Sequence, residues 1–304
     1  MEQYPKTLLE FEKQFSSEAA CREYICQLRW PEGFICPRCD HRKAWIMRRQ
    51  HRWCSHCKFQ VSVTAGTIFQ DSRIPLHIWF RAIWHIVSQK QGISAKGLQR
   101  VLGLKRYETT WILLHKLRKA MIRPNRDRLV GPVQVDETYI GGPRTGKRGR
   151  GAANKTLVIV AVEVKDKQAG RIRLHKVNDA SGESLIPAVK ESVQPKSEVR
   201  TDGWEGYSQL SCSGYKHKII RKTANVGENL LPLANRVIAL LKRWLQGTHQ
   251  GAVRPSHLDD YLDEFVFRFN RRTSGSRGLL FYRLIQQAVN ISPVKAKDIR
   301  HAKQ

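Results

Sequence analysis

The spacing of hydrophobic and polar positions changes along the chain at about residue 130. Before it, apolar residues recur at helical intervals. Ala19 to Leu28 predicts a short helix opened by Ser16-Ser17-Glu18. Leu76 to Gln89 predicts a longer one, with Pro75 at its start and Ile78, Trp79, Ala82, Ile83 and Ile86 on one side. A helix from Gly92-Ile93-Ser94 to Leu102, a turn at Gly103-Leu104 and a helix from Tyr107 to Met121 make a helix-turn-helix pattern. In that reading Lys105, Arg106, Thr109 and Thr110 stand near the start of the second helix. The same pattern also fits a helical hairpin with a solvated basic face. Met121 to Leu129, basic and containing Pro124, reads as a domain boundary.

Beyond it the period falls to two. Val133 to Ile140 reads as a strand that breaks at Gly141-Gly142. Gln134, Asp136 and Thr138 share one face, so Glu137 points the other way and Asp136 is the better candidate for chemistry. Leu157 to Val164 and Arg171 to Val177 predict two more strands, in a meander with the first. Gly182 to Val193 predicts a helix, and Glu198 to Asp202 a strand ending in a second acid before Gly203. Pro232 to Gly247 predicts a helix whose stripe is Leu233, Val237, Leu240, Leu241 and Trp244. Asn235 and Lys242, about two turns apart, share the face roughly opposite that stripe. Strand with Asp, two strands, helix, strand with Asp, helix is the order of an α/β, ribonuclease-H-like fold, whose acids meet at one end of a mixed sheet.

Charge and cysteines sharpen this. The 304 residues include 54 lysines and arginines against 26 acids, a net charge of +28. Self-repulsion of that size suits a polyanionic partner, nucleic acid first and an anionic membrane surface second. No apolar run approaches a membrane span, and Met1-Glu-Gln-Tyr-Pro lacks the basic start and apolar centre of a signal peptide. A cytoplasmic protein is expected, with its seven cysteines serving as metal ligands or buried thiols. Cys36-Pro-Arg-Cys39 and Cys54-Ser-His-Cys57, with fourteen residues between them, predict a closed, structural Zn²⁺ site. His56 could replace one cysteine ligand, but four cysteines are simpler; Cys21, Cys26 and Cys212 are expected to be buried thiols. Trp45, Arg48, Arg49, His51, Arg52 and Trp53 lie between the pairs as a basic, aromatic ribbon suited to phosphate contact or stacking. The loop Pro143 to Gly151 carries Arg144, Lys147, Arg148 and Arg150, and beside an acidic site it reads as a phosphate clamp.

Several of these stretches together carry a resemblance. The Cys-Pro-x-Cys ribbon, Asp136-Glu-Thr-Tyr-Ile-Gly-Gly, the loop Gly146 to Gly151, Thr201-Asp202-Gly203 and the run Leu240 to His249 resemble a bacterial insertion-sequence transposase. The kind is the insertion sequence 1595 family, with a zinc ribbon and an ISXO-like catalytic domain. Tyr261 to Arg272 also resembles its C-terminal helix. The match runs from about residue 5 to 290. It implies a zinc ribbon in residues 1–70, a helical DNA-binding region in 71–128 and a ribonuclease-H-like catalytic domain in 129–304.

The resemblance further implies a triad of two aspartates and a third ligand. It maps onto Asp136, Asp202 and, seven before Lys242, Asn235. Family members usually carry glutamate at the third position, and some carry asparagine. An amide oxygen can ligate a hard cation, but it brings no charge and cannot act as a base. Glu228 is a substitute ligand and Glu264 a weaker one. Lys242 would hold a DNA phosphate. Two Mg²⁺ or Mn²⁺ ions, cleavage at the terminal inverted repeats, strand transfer without a covalent enzyme intermediate, and a homodimer or larger synaptic complex are implied with it. The expected setting is a bacterial nucleoid. Two other readings stand beside it: a transposase-derived DNA-binding protein without catalysis, and a structure-specific nuclease of the same fold.

Overall fold

The computed structural model describes residues 3–48, 51–123, 126–141, 155–222, 229–251 and 253–301. The chain forms two compact units: Met1–Arg123 with Thr273–Ala302, and Pro124–Arg272.

The first unit begins with helices α1 (Leu8–Gln14) and α2 (Glu18–Arg29). Strands β1 (Ala44–Ile46), β2 (Arg52–Cys54) and β3 (Gln60–Val61) follow, then α3 (Leu76–Ser88), α4 (Ala95–Leu102) and α5 (Tyr107–Lys119). Ser17 caps α2 by accepting the Ala20 N–H. Pro75 gives α3 no capping side chain, so Glu18 does that work from α2. Its carboxylate accepts the N–H groups of Leu76 at 3.0 Å and His77 at 3.2 Å. Burial alone would raise the Glu18 pKa; these hydrogen bonds hold it below the usual value. Ser94 caps α4, and Gly103, at φ +64°, ends it in the left-handed conformation that favours glycine. Lys105 and Arg106 are exposed before α5, but Thr110 is fully buried, so Thr110 cannot be presented outward as expected.

The second unit holds β4 (Val133–Ile140), β5 (Thr156–Lys165), β6 (Gln168–Val177), α6 (Gly182–Ser192), β7 (Glu198–Thr201), β8 (Lys216–Ile219), α7 (Pro232–His249) and α8 (Leu258–Asn270). Helices α9 (Arg277–Ala288) and α10 (Ala296–Arg300) then return the chain to the first unit. There Phe281 of α9 joins Phe11, Phe15, Phe80 and Trp84 in an aromatic core.

The sheet order is β6-β5-β4-β7-β8, with β4, β5 and β6 antiparallel and β4, β7 and β8 parallel. Strand β4 is buried on both sides. Val133, Val135 and Tyr139 join the core under α6, whereas Ile140, Val158, Val160 and Val162 meet α7 and α8. Gln134 shares the second face and is buried, where its Oε1 accepts the N–H groups of Leu233 at 2.9 Å and Ala234 at 3.1 Å. Leu231 cannot cap α7 with its own side chain, so a strand residue supplies the acceptor.

At the other end of the sheet, Glu163 of β5 binds Arg171 of β6 and accepts the Val130 N–H. Gly170 leaves room for it: a Cβ there would sit 2.9 Å from Glu163 Oε2. Burial pushes the Glu163 carboxyl up, but Arg171 and the backbone donors outweigh it, and the net pKa is lowered.

Gln134→Ala, which orphans two helix N–H groups, should destabilise the second unit by about 1–3 kcal/mol in urea denaturation. Since the folded pKa of Glu163 is lowered, its stabilising contribution is complete above the ordinary carboxyl value and is lost as pH falls through the folded one. Glu163→Gln should therefore cost stability at pH 7, with the difference shrinking below about pH 4.5 in denaturation at stepped pH.

Candidate active site and metal centre

Asp136 sits midway along β4, and Asp202 directly follows the last residue of the neighbouring parallel strand β7. The β4–β7 ladder pairs Val133 with Val199 and Gln134 with Arg200, then stops. Asp136 and Asp202 are each two residues beyond the last pair. By this register both fall on the same side of the sheet, just beyond the end of the pairing. Both side chains are half-buried.

Each is held locally. Asp136 Oδ1 accepts the Glu137 N–H at 2.9 Å, and Asp202 Oδ1 accepts the Trp204 N–H at 2.9 Å. Between Asp202 and Trp204, Gly203 takes φ +91°, and a Cβ there would lie 2.6 Å from Ile219 Cγ2. Only glycine fits the turn that carries Asp202. Arg221 Nη2 lies 3.4 Å from Asp202 Oδ2 and gives that acid a cationic neighbour.

Glu137 points to the opposite side, as alternation requires. Its Oε2 accepts the hydroxyl of the fully buried Tyr207 at 2.9 Å. The Tyr207 pKa is raised well above the ordinary phenol value, by burial first and then by Glu137, Asp136 and Asp202. Both aspartates thus lie within electrostatic reach of one hydroxyl.

Helix α7 brings the remaining two candidates. The Gln134 cap ends at Ala234, and Asn235 is the next residue. Its Nδ2 donates to Asn229 Oδ1 at 2.7 Å, which leaves the carbonyl oxygen as the atom able to meet a cation. Lys242 stands two turns on, exposed along its stem. Partial desolvation and then Lys155 lower the pKa of its ammonium, while Asp136 opposes them. Carboxylate and amide oxygens are the ligand types a hard divalent cation takes, whereas the lysine ammonium suits an anion.

In the first unit, the four predicted cysteines come together. The two knuckles have matching hydrogen bonds. In one, Asp40 N–H reaches Cys36 O and Cys36 N–H reaches His41 O; in the other, Lys58 N–H reaches Cys54 O and Cys54 N–H reaches Phe59 O. Asp40 and Lys58, each just after the second cysteine of its pair, take positive φ of 55° and 58°. The Sγ atoms of Cys36 and Cys57 are 3.6 Å apart, as are those of Cys39 and Cys54, and all four lie within 4.8 Å. That is too far for a disulfide and matches the roughly 3.8 Å edge of a tetrahedron with 2.3 Å Zn–S bonds. His56 is outside the set; its ring faces His41 at 5.6 Å.

The other expectations divide. Trp45 is 52 % exposed with the Lys58 ammonium over its ring at 4.5 Å, and Arg48 is exposed, as a contact ribbon needs. Arg52 instead turns inward to Cys26 Sγ. Cys21 and Cys26 are buried, but Cys212 is exposed, because it falls in the turn between Leu210 and β8 rather than in an element that packs. Glu264 is 1 % exposed and bound to Arg268 one turn along α8, so it is a core ion pair and not a cation ligand. Arg49, Arg144, Lys147, Arg148, Arg150 and Glu228 lie outside the described residues. Sequence reasoning missed the roles of Gln134, Tyr207 and Arg221. Gln134, a long amide at a core-facing position of a buried strand, was the readable signal among them. No described helix is long and apolar enough to cross a membrane.

Two family comparisons match in the expected order along the chain. Residues 16–60 match the transposase zinc-ribbon domain, and residues 128–270 match the ISXO2-like transposase domain. Among curated proteins, the chain is 25 % identical over 281 residues to an uncharacterised protein in transposable element ISH50 of Halobacterium salinarum. That alignment covers 84 % of this chain and 92 % of the relative. With a four-cysteine ribbon of this kind followed by a mixed-sheet transposase domain of the same family, the chain belongs to the insertion sequence 1595 family of transposases.

Proposed function

We propose that the protein binds the terminal inverted repeats of its insertion sequence and catalyses metal-dependent cleavage and transfer of DNA strands. The observation that carries this reading is the placement of Asp136 and Asp202 on one side of the sheet, where the parallel pairing of β4 with β7 gives out. The sheet order, with the first three strands antiparallel and the last two parallel to the acid-bearing strand, supports a ribonuclease-H-like catalytic domain beginning near residue 129. Helix α4, a four-residue turn opening on left-handed Gly103, and helix α5 support a helix-turn-helix reading of the region before it.

Asp136, Asp202 and the Asn235 amide oxygen would hold Mg²⁺ or Mn²⁺, two ions in the full assembly. A divalent cation held there would supply activation of water or a 3′-hydroxyl and charge stabilisation for the leaving oxygen. Lys242, exposed on α7 two turns from Asn235, holds a phosphate oxygen and neutralises charge as the phosphorus is attacked. Arg221 balances Asp202 until DNA and metal take its place, and is then free to contact the backbone. Because Asn235 adds no charge, the site carries one negative charge fewer than an all-acid triad, and its proton transfers fall to the two aspartates and bound water. Exposed Lys105, Arg106, Trp45 and Arg48, and the basic residues Arg144, Lys147, Arg148 and Arg150, grip the repeat ends. Holding two ends calls for a homodimer or a larger synaptic complex. The cytoplasm, on the nucleoid, is where such a protein works. The neutral third ligand also favours one second reading, a protein that binds ends without cutting them.

The decisive assay is 3′ nicking of a duplex carrying the element's end, with Mg²⁺ or Mn²⁺. Asp136→Ala or Asp202→Ala should lower the rate on the order of a thousandfold, and Asn235→Ala should also abolish measurable turnover. Nicking that survives Asn235→Ala moves the third ligand elsewhere. Tight, salt-sensitive end binding without any nicking by the native protein supports the binding-only reading. Metal analysis should find one Zn²⁺ per chain, lost in Cys39→Ser. Chelation should unfold the ribbon and weaken end binding while leaving the melting of the second unit unchanged.

A further inference from the structure

We propose that Tyr207 and Glu137 form a partly buried strut that sets the spacing of the two acids, which makes Tyr207 a positioning residue for the divalent-cation site. The inference rests on the metal-site reading above and deepens it.

The need for a strut follows from the sheet. The β4–β7 ladder ends two residues short of both aspartates, so no ladder hydrogen bond joins the strands at their level. After Asp202 the chain turns at Gly203 and enters the 3₁₀ segment Glu205–Leu210. Tyr207 on that segment is fully buried, and its hydroxyl donates to Glu137 Oε2 at 2.9 Å. Glu137 is the residue next to Asp136. One partly buried hydrogen bond therefore links the segment carrying one acid to the strand carrying the other, from the face opposite the acids.

The segment is also fixed at its other side. Trp204 Nε1 donates to Ala180 O at 2.8 Å, and Gly206 packs so closely that a Cβ would fall 2.4 Å from the same oxygen. With these contacts in place the segment cannot slide, and the hydroxyl fixes its distance from β4. A tyrosine that only filled the core would do as well without its oxygen. Here the oxygen spans the gap, as partners behind metal ligands do when they set ligand geometry.

The test uses the full zinc-loaded chain. Mn²⁺ is titrated and the free ion followed by electron paramagnetic resonance, with Asp136→Ala identifying the acid site. Melting temperature and duplex-end binding in EDTA are measured alongside. Tyr207→Phe should weaken the Asp136-dependent Mn²⁺ site about tenfold or more, with end binding in EDTA unchanged. Glu137→Ala should lose about as much, and Glu137→Gln, whose amide oxygen still accepts the hydroxyl, should retain near-native affinity. The Glu137 pair carries the test even if Tyr207→Phe fails to fold. Native Mn²⁺ affinity in Tyr207→Phe or in Glu137→Ala overturns the strut. So does equal loss in Glu137→Ala and Glu137→Gln, which would make the Glu137 charge the cause. A native protein with no Asp136-dependent Mn²⁺ binding overturns the metal reading itself and the strut with it.

Discussion

Strand β4 must satisfy two packed faces at once, and the register this imposes underlies the candidate site. One parity lies under α6, and the other meets α7 and α8. A slip of one residue would turn Val133 and Val135 away from their core and drive Gln134 and Asp136 into it. Burial of the valines therefore fixes the side to which Asp136 points. The same parity hands Gln134 to the start of α7 and Glu137 to Tyr207. A hydrophobic constraint thus aims three polar side chains, and the parallel pairing with β7 puts Asp202 on the same side as Asp136.

Much of this was legible in the sequence because period and parity survive without tertiary information. Alternation around Asp136 gave its face and that of Glu137. The order of strands and helices gave the mixed sheet, and the seven-residue interval gave Asn235 and Lys242 a shared exposed face on α7. The paired Cys-x-x-Cys motifs gave the thiol cluster. What was not legible depended on contacts between distant segments. Strand β8, only Lys216–Ile219, is too short and basic to announce itself and forms by pairing with β7. The Gln134 cap and the Tyr207 hydrogen bond join residues about 100 and 70 positions apart, beyond any local pattern. Thr110 reads as polar and outward but is buried, since the α5 face is chosen by packing and not by the hydroxyl. Cys212 fails as a buried thiol for the converse reason: it sits in a turn.

Charge follows a different logic from fold. A net +28 on 304 residues would oppose any compact state without a polyanion. Part of it stands on the surface of the described residues, where Arg48, Lys105, Arg106 and Lys242 are exposed. A few basic groups are structural instead, such as Arg171 on Glu163, Arg268 on Glu264 and Arg52 on Cys26. Sorting the cations in this way separates those that hold the molecule from those left for phosphate.

The central claim is that Asp136, Asp202 and Asn235 together hold a divalent cation. A crystal structure of the protein on a duplex end soaked in Mn²⁺, with anomalous difference maps collected at the manganese edge, tests it most directly. The account predicts anomalous density bounded by both carboxylates and the Asn235 amide oxygen, with Lys242 against a phosphate. Density held by Glu228 in place of Asn235, or absent from the two aspartates in a crystal with the DNA end bound, would contradict it.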